Sequence, residues 1–169
     1  SVNMLALVNN QPKILTLREM LDTYLDHQFK VVTRRTEYDL KKARERAHIL
    51  EGLKIACDNI DEVIHIIRTS YDDAKARLME RFGLSEIQAN AILQMRLGRL
   101  SALNREAIEN ELAEIRTEIA RLEEVLGDMH LVDGIIKTEM REIAEKFGDD
   151  RRTGIETISG EMDLEDLIP

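Results

Sequence analysis

IENELAEIRTEIARLEEVLGDM, residues 108–129, carries the most regular apolar pattern of the chain. Its apolar residues lie alternately four and three positions apart, so they fall on one stripe of an α-helix. A stripe of this kind packs against a matching stripe on a second helix. The spacing predicts one helix of a coiled coil, with the seam formed by Ile108, Leu112, Ile115, Ile119, Leu122, Leu126 and Met129.

The partner helix is expected earlier in the chain, at residues 18–58. The same spacing recurs there at Leu40, Ala43, Ala47 and Leu50. Residues 18–58 and 104–147 would form helices of about 60 and 65 Å at 1.5 Å per residue, with a bend near Gly127 and Gly134. Because only residues 59–103 separate them, the second helix is expected to return along the first. The sequence thus predicts an all-α fold, a long antiparallel two-helix coiled coil with a small globular helical tip at residues 59–103.

Both ends of the chain lie outside these helices. Residues 2–8 and 13–17 flank the turn-forming sequence NNQP, which predicts a short N-terminal β-hairpin that belongs to a larger sheet. Thr16, with Glu19 three positions later, is a capping-box sequence for the first long helix. Residues 148–169 are rich in Gly, Asp and Glu and read as a linker. We therefore expect the chain to be an excised part of a longer protein.

The tip contains the signals of several short helices. Ser70 with Asp73 and Ser85 with Gln88 are capping-box sequences, and Gly83 is placed to end a helix between them. The helix that follows, in QANAILQMRLGRL, has two apolar stripes rather than one. The first stripe contains Ala89, Leu93 and Leu97, and the second contains Ala91, Ile92 and Met95.

Two apolar stripes on one helix require two partners. The rest of the tip can bury one stripe, and an exposed apolar patch on the other predicts a protein interface. For a single chain type the expected geometry is a two-fold symmetric homodimer, and the alternative is that both stripes are buried inside the tip. The candidate dimer-interface residues are Ala91, Ile92, Leu93, Met95, Leu97 and Leu100.

The charge balance argues against a general nucleic-acid-binding surface. The formal net charge is −9, whereas affinity for phosphate backbones depends on clustered Lys and Arg. The charged stretch 34–46 is interpreted as a solvated helix face. The alternative is a DNA-contacting patch formed by Arg34, Arg35, Lys41, Lys42, Arg44 and Arg46. The chain shows no leader sequence and no 18-residue apolar run, so we expect a soluble protein that does not span a membrane.

Residues able to support catalysis are not grouped in the sequence. The four histidines lie far apart, and none has a Cys or His at metal-ligand spacing. The single cysteine, Cys57, falls on the apolar seam and is interpreted as a structural thiol. We therefore predict no catalytic, cofactor-binding or metal-binding residues in this chain.

The stretch VVTRRTEYDLKKARERAHILEGL, residues 31–53, closely resembles the A subunits of bacterial DNA gyrase, which are type IIA topoisomerases. The resemblance continues in family order through NMLALVNNQPKILTLREML, SEIQANAILQMRLGRLSAL, EAIENELAEI and KFGDDRRTGI. It implies that residues 1–17 end a tower-like domain and that the coiled coil is the arm leading to the C-gate, the exit gate for transported DNA. By this resemblance residues 84–103 match the segment through which two arm tips form a homodimer.

The same resemblance implies that the chemistry lies elsewhere. In this family the cleaving tyrosine lies in a winged-helix domain upstream of the matched region, and Tyr24, Tyr38 and Tyr71 do not match it. ATP and Mg²⁺ are bound by the B subunit of an A2B2 complex in the bacterial cytoplasm, near the nucleoid, and a DNA-wrapping domain follows the linker. The parent would be an ATP-dependent isomerase of DNA topology, with duplex DNA contacting this chain transiently. The A subunit of topoisomerase IV and a non-catalytic coiled-coil tether are the alternatives.

Overall fold

The computed structural model describes residues 3–95 and 102–154, with side chains described throughout except at 102–104. The helical fold class with a short N-terminal hairpin is confirmed. The elements of the described ranges are β1 Met4–Val8, β2 Gln11–Leu15, α1 Leu17–Asp58, α2 Ile60–Thr69, α3 Ala74–Phe82, α4 Glu86–Gln94, α5 Ala102–Gly127 and α6 Met129–Phe147.

The chain divides into two compact units, one up to Ile136 and one from Lys137 onward. The first unit contains the hairpin, α1 to α5 and the start of α6. In the second unit the helix ends where the backbone N–H of Gly148 donates to the carbonyl oxygen of Ala144 at 2.8 Å. That bond satisfies one of the carbonyl groups that a helix end leaves without a helical partner.

The N-terminal hairpin pairs β1 and β2 in antiparallel register. Asn9 and Asn10 join the strands with φ angles of 52° and 64°. Asparagine tolerates this left-handed conformation, and two such residues match the twist of the flanking strands. The second strand begins before the predicted range 13–17 and includes Pro12, which lies opposite Leu7. Proline is tolerated there because both strands of a two-stranded sheet are edge strands.

Helix α1 is 42 residues long and has clear signals at both ends. The hydroxyl of Thr16 accepts from the backbone N–H of Glu19 at 3.3 Å, and the Glu19 carboxylate accepts from the Thr16 N–H at 2.7 Å. The predicted capping box is therefore present. The hydrogen bonds that the Thr16 backbone N–H and hydroxyl donate to the Glu19 carboxylate lower the pKa of Glu19. At the other end the Asn59 amide donates to the carbonyl oxygen of Ile55 at 2.9 Å.

Helix α5 runs antiparallel to α1 along a shared apolar seam. Arg105 near the start of α5 pairs with Asp58 at the end of α1 at 2.9 Å, while Glu123 near the end of α5 pairs with Arg44 at 2.6 Å. The buried seam consists of Ala47, Leu50, Ile108 and Leu112, bordered by partly buried Leu53, Cys57, Ile115 and Ile119. Farther along α5, Leu122 is buried and Leu126 is partly buried.

The predicted single returning helix at 104–147 is divided after Gly127. The carboxylate of Asp128 accepts from the backbone N–H of His130 at 2.8 Å and starts α6. This break shifts the phase of the apolar stripe, because a helix that restarts is free to rotate about its axis. Met129, predicted in the seam, is exposed, and Val132 is buried instead.

The tip helices α2, α3 and α4 pack around the C-terminal end of α1. Their core contains Ala56, Val63, Ile66, Leu78, Leu84 and Ile92. Gly83 ends α3 with a φ angle of 64°, as the sequence predicts. The capping box predicted at Ser70 and Asp73 is wrong. Helix α3 starts only at Ala74, and the Ser70 hydroxyl donates instead to the carbonyl oxygen of Ile66 at 2.6 Å.

We predict that replacing Leu50 by Ala destabilises the first unit by about 2–5 kcal/mol, because a fully buried seam residue leaves a cavity when it is truncated. The free energy of unfolding in urea measures this loss. Leu21→Ala is the matched control, since Leu21 lies on the same helix and is exposed. Equal destabilisation by both changes would contradict the seam.

Candidate functional site

Helix α4 holds the residues that the sequence predicts at a dimer interface. Its start is fixed by a second capping box, in which the Ser85 hydroxyl accepts from the Gln88 backbone N–H at 3.3 Å. The Gln88 side-chain oxygen in turn accepts from the Ser85 N–H at 3.0 Å. These two bonds satisfy the N–H groups of Ser85 and Gln88, which have no helical partner, and give the nine-residue helix a defined first turn.

The inner face of α4 contains one residue from each predicted apolar stripe. Ala89 belongs to the first stripe and Ile92 to the second, and both are buried. The tip core therefore occupies the sector between the two stripes and covers neither of them completely. Ile92, predicted at the interface, is 1% exposed and packs in its own chain's core rather than on an exposed face.

The outer face of α4 exposes apolar side chains in a different combination from the predicted one. Ile87 is 61% exposed near the middle of this face, and Leu93 is 37% exposed at one edge. Ala91 is partly buried at the other edge. The interface predicted from the sequence omits Ile87, although its position four residues before Ala91 places it on the continuation of the second stripe.

Met95, Leu97 and Leu100 complete the predicted interface set. Met95 is partly buried and lines a cavity of about 240 Å³ between α1 and α5, together with Leu53 and Ile108. It therefore lies beside the seam rather than on the outer face of α4. Leu97 and Leu100 lie outside the described residues, so the outer face is defined here by Ile87, Ala91 and Leu93.

A buried amide joins α4 to α1. The Gln88 side chain is 6% exposed, and its nitrogen donates to the backbone carbonyl oxygen of His48 at 2.7 Å. The same nitrogen lies 3.4 Å from His48 Nδ1, and His48 Nε2 lies 2.7 Å from the Ser85 hydroxyl. One turn after His48, the Gln88 side chain packs directly on Gly52. These contacts fix the rotation of α4 about its axis.

Three basic residues in the charged stretch of α1, Lys42, Arg44 and Arg46, are engaged with acidic neighbours. Arg44 pairs with Glu123 at 2.6 Å and Arg46 with Glu111 at 2.6 Å, both across the seam. Lys42 pairs with Glu45 at 3.0 Å, and that hydrogen bond raises the pKa of Lys42. This arrangement favours the solvated-face interpretation of residues 34–46, because phosphates would have to displace existing carboxylate partners.

Metal-binding and membrane-spanning features are not found in the described part of the chain. Within 3–95 and 102–154, no group of three or more His, Cys, Asp or Glu side chains is placed to hold a metal ion. Among the helices of these ranges, none has the length and apolarity needed to cross a bilayer.

Cys57 is the thiol of the α1–α5 seam. It is partly buried, and burial is the main cause that raises the pKa of this thiol above its ordinary value. The nearby carboxylates of Asp58 and Glu109 raise the pKa further, while Arg105 lowers it. A thiol that stays protonated is a poor nucleophile, so its environment fits a structural role.

These elements define a class of protein module, an antiparallel two-helix coiled coil with a helical tip that bears a small exposed apolar face. Residues 1–141 match the family model that describes the A subunit of DNA gyrase/topoisomerase IV. The chain therefore belongs to the family of DNA gyrase/topoisomerase IV A subunits.

Individual relatives agree with this assignment. The chain is 56% identical over 170 residues to the DNA gyrase A subunit of Campylobacter jejuni, with 99% of the chain and 20% of the relative covered. It is 52% identical over 169 residues to that of Clostridium acetobutylicum and 56% identical over 172 residues to that of Staphylococcus epidermidis, again with 99% of the chain and 20% and 19% of those relatives covered. The chain thus spans about one fifth of the length of the curated relatives it matches.

We predict that Cys57 in the folded chain reacts several-fold more slowly with a disulfide reagent at pH 8 than in the urea-unfolded chain. The raised pKa lowers the thiolate fraction, and partial burial limits access. The pKa of Cys57 is higher in the folded chain than in the unfolded chain, so the protonated thiol contributes to the free energy of unfolding. This contribution is fully present below the pKa of the unfolded chain, and it is lost as the pH rises through the pKa of the folded chain. Stopped-flow absorbance gives both rates, and equal rates would contradict this description of the seam.

Proposed function

We propose that the chain is the arm and exit-gate region of the A subunit of a type II DNA topoisomerase. In this proposal two copies meet through the outer faces of their α4 helices, hold the subunits together and part to release transported DNA. The observation that carries the proposal is the exposure of Ile87 and Leu93 on the tip of a chain that belongs to this family. Isolated exposed apolar residues are common, but a group on one short helix supports an interface.

The size of this face suits a contact that must open. Only three apolar side chains, Ile87, Ala91 and Leu93, contribute from the described part of α4, and Ala91 is small. A two-fold axis doubles each contribution, because every residue then appears on both sides of the interface. Such a contact resembles the small, transient class of interfaces more than the large apolar surfaces of permanent dimers.

The arm supports the gate mechanically in this proposal. The α1–α5 seam buries an apolar core, and ion pairs such as Arg116–Glu51 at 2.9 Å and Lys54–Glu109 at 3.6 Å flank it. Exposed pairs of this type contribute only about 0–1 kcal/mol each, so apolar burial supplies most of the stability. The ion pairs contribute mainly to register, since a slip along the helix axis would place like charges together.

The charge of the chain suits the passage of DNA. With a formal net charge of −9, the surface repels the phosphate backbone on average, and several basic residues of α1 are already paired. A transported duplex could therefore pass along the arms without being retained.

The rest of the reaction is assigned to other parts of the assembly. The proposed parent is an ATP-dependent isomerase of DNA topology in the bacterial cytoplasm, in which two A chains and two B chains form an A2B2 complex. ATP and Mg²⁺ would be bound by the B chains, and the described residues of this chain hold no cluster that fits a metal ion. No step of DNA cleavage is assigned to this chain.

Two alternatives remain separate from the gate. The matched family model covers both DNA gyrase and topoisomerase IV, so an arm of topoisomerase IV would have the same fold and the same tip contact. A non-catalytic tether would share the coiled coil but would not dimerise through α4. The oligomeric state of the chain therefore distinguishes the tether from a gate.

We predict that the chain forms a dimer and that the double change Ile87→Glu, Leu93→Glu makes it monomeric. Each carboxylate would be buried twice in a symmetric contact, without a partner. Sedimentation equilibrium measures the association, and circular dichroism checks that helix content is kept. Leu131→Glu is the matched control, because Leu131 is also 37% exposed on a helix and lies outside the tip. A monomeric wild type, or a double variant that still dimerises, would contradict the gate.

We also predict weak binding to duplex DNA. At about 150 mM salt the dissociation constant should be no tighter than the ~10⁻⁶ M typical of non-specific binding, and changing Arg34 and Arg35 to Gln should alter it little. Fluorescence anisotropy with a labelled duplex measures both. Tight binding that the two changes abolish would instead support the alternative in which residues 34–46 form a DNA-contacting patch.

A further inference from the structure

The side-chain amide of Gln88 takes part in two interactions, the N-terminal cap of α4 and a contact with α1. Its oxygen accepts from the Ser85 N–H at 3.0 Å and caps α4. Its nitrogen donates to the carbonyl oxygen of His48 at 2.7 Å, in the middle of α1. Both ends of a rigid planar group are thereby fixed. A rotation of α4 about its own axis would break at least one of these two bonds.

Close packing beneath Gln88 reinforces this restraint. A Cβ atom placed on Gly52 would lie 2.7 Å from both Cβ and Cγ of Gln88, well inside normal van der Waals contact. The first part of the Gln88 side chain therefore rests on the bare backbone of α1. Since these are not the flexible far end of the side chain, a larger residue at position 52 would have to move α4 itself.

The junction also connects the two apolar cores. Leu53, next to Gly52, packs against both the tip core and the α1–α5 seam. Ile87 precedes Gln88 directly on α4, about 100° around the helix, and is exposed on the outer face. A change in the orientation of α4 on α1 therefore also changes the position of Ile87, the neighbouring residue on the outer face.

We propose that Gln88 is the positioning residue of the gate: by tying α4 to the His48 carbonyl over Gly52, it sets the orientation in which Ile87 and Leu93 meet the second copy. This inference rests on the proposed function and adds to it the route by which the arm controls the strength of the tip contact. Apolar packing alone is non-directional, whereas a buried, fully paired amide fixes one orientation of the helix.

The amide's role is tested by comparing Gln88→Met with Ser85→Ala. Each change removes one bond of the capping box, and Ser85→Ala also removes the 2.7 Å contact between its hydroxyl and His48 Nε2. Only Gln88→Met removes the donor to the His48 carbonyl. We expect Gln88→Met to weaken dimerisation about tenfold or more and Ser85→Ala less than about threefold. Sedimentation equilibrium gives the dimer dissociation constants. Hydrogen exchange of the α4 peptide, measured by mass spectrometry, should quicken more in Gln88→Met.

A second variant approaches the same junction from α1. Gly52→Leu favours the helical conformation of α1, yet its side chain occupies the place of Gln88. We expect helix content to be kept and dimerisation to weaken as in Gln88→Met. Unchanged dimerisation in both variants would overturn the inference. It would also be overturned if both variants lost no more dimerisation than Ser85→Ala loses for the same fall in melting temperature. A monomeric wild type would overturn the proposed function as well, which separates the two failures.

Discussion

The structure depends on burial of one narrow apolar stripe of α1 by α5. In proteins most of the stability of a helix comes from tertiary packing of its apolar face, so α1 depends on the partner that covers its buried stripe. Leu50, Ile108 and Leu112 supply this contact, and the tip packs where the stripe reaches the end of α1. The tip helices are consequently oriented by their packing on α1.

Features that depend on local spacing could be predicted from the sequence. The four-and-three repeat placed Ile108, Leu112 and Leu122 on one face because that periodicity is a property of the helix itself. The capping boxes at Thr16 and Ser85 were predictable for a similar reason, since their bonds join residues only three positions apart. Gly83 was recognisable because a left-handed helix end strongly favours glycine.

Features that depend on tertiary packing could not be predicted in the same way. The two apolar stripes of α4 are visible in the sequence, but the rotation of the helix about its axis is not. That rotation is set by the Gln88 bond to α1 together with packing in the tip core. Ile92 was therefore assigned to the outside although it lies inside. The phase of α6 was hidden for a related reason, because Asp128 restarts the helix and no sequence rule gives the new rotation.

The buried amide at Gln88 has a further consequence for the proposed tip contact, which would have to both hold and open. A wholly apolar junction between α4 and α1 would tolerate many rotations of the tip, and the outer face would then meet its copy in many weak ways. With the amide paired, one orientation of α4 is preferred, so the few apolar side chains of the outer face are presented in one arrangement. In the proposed dimer, loss of the Gln88 bond to the His48 carbonyl would therefore weaken the contact without any change at the interface residues themselves.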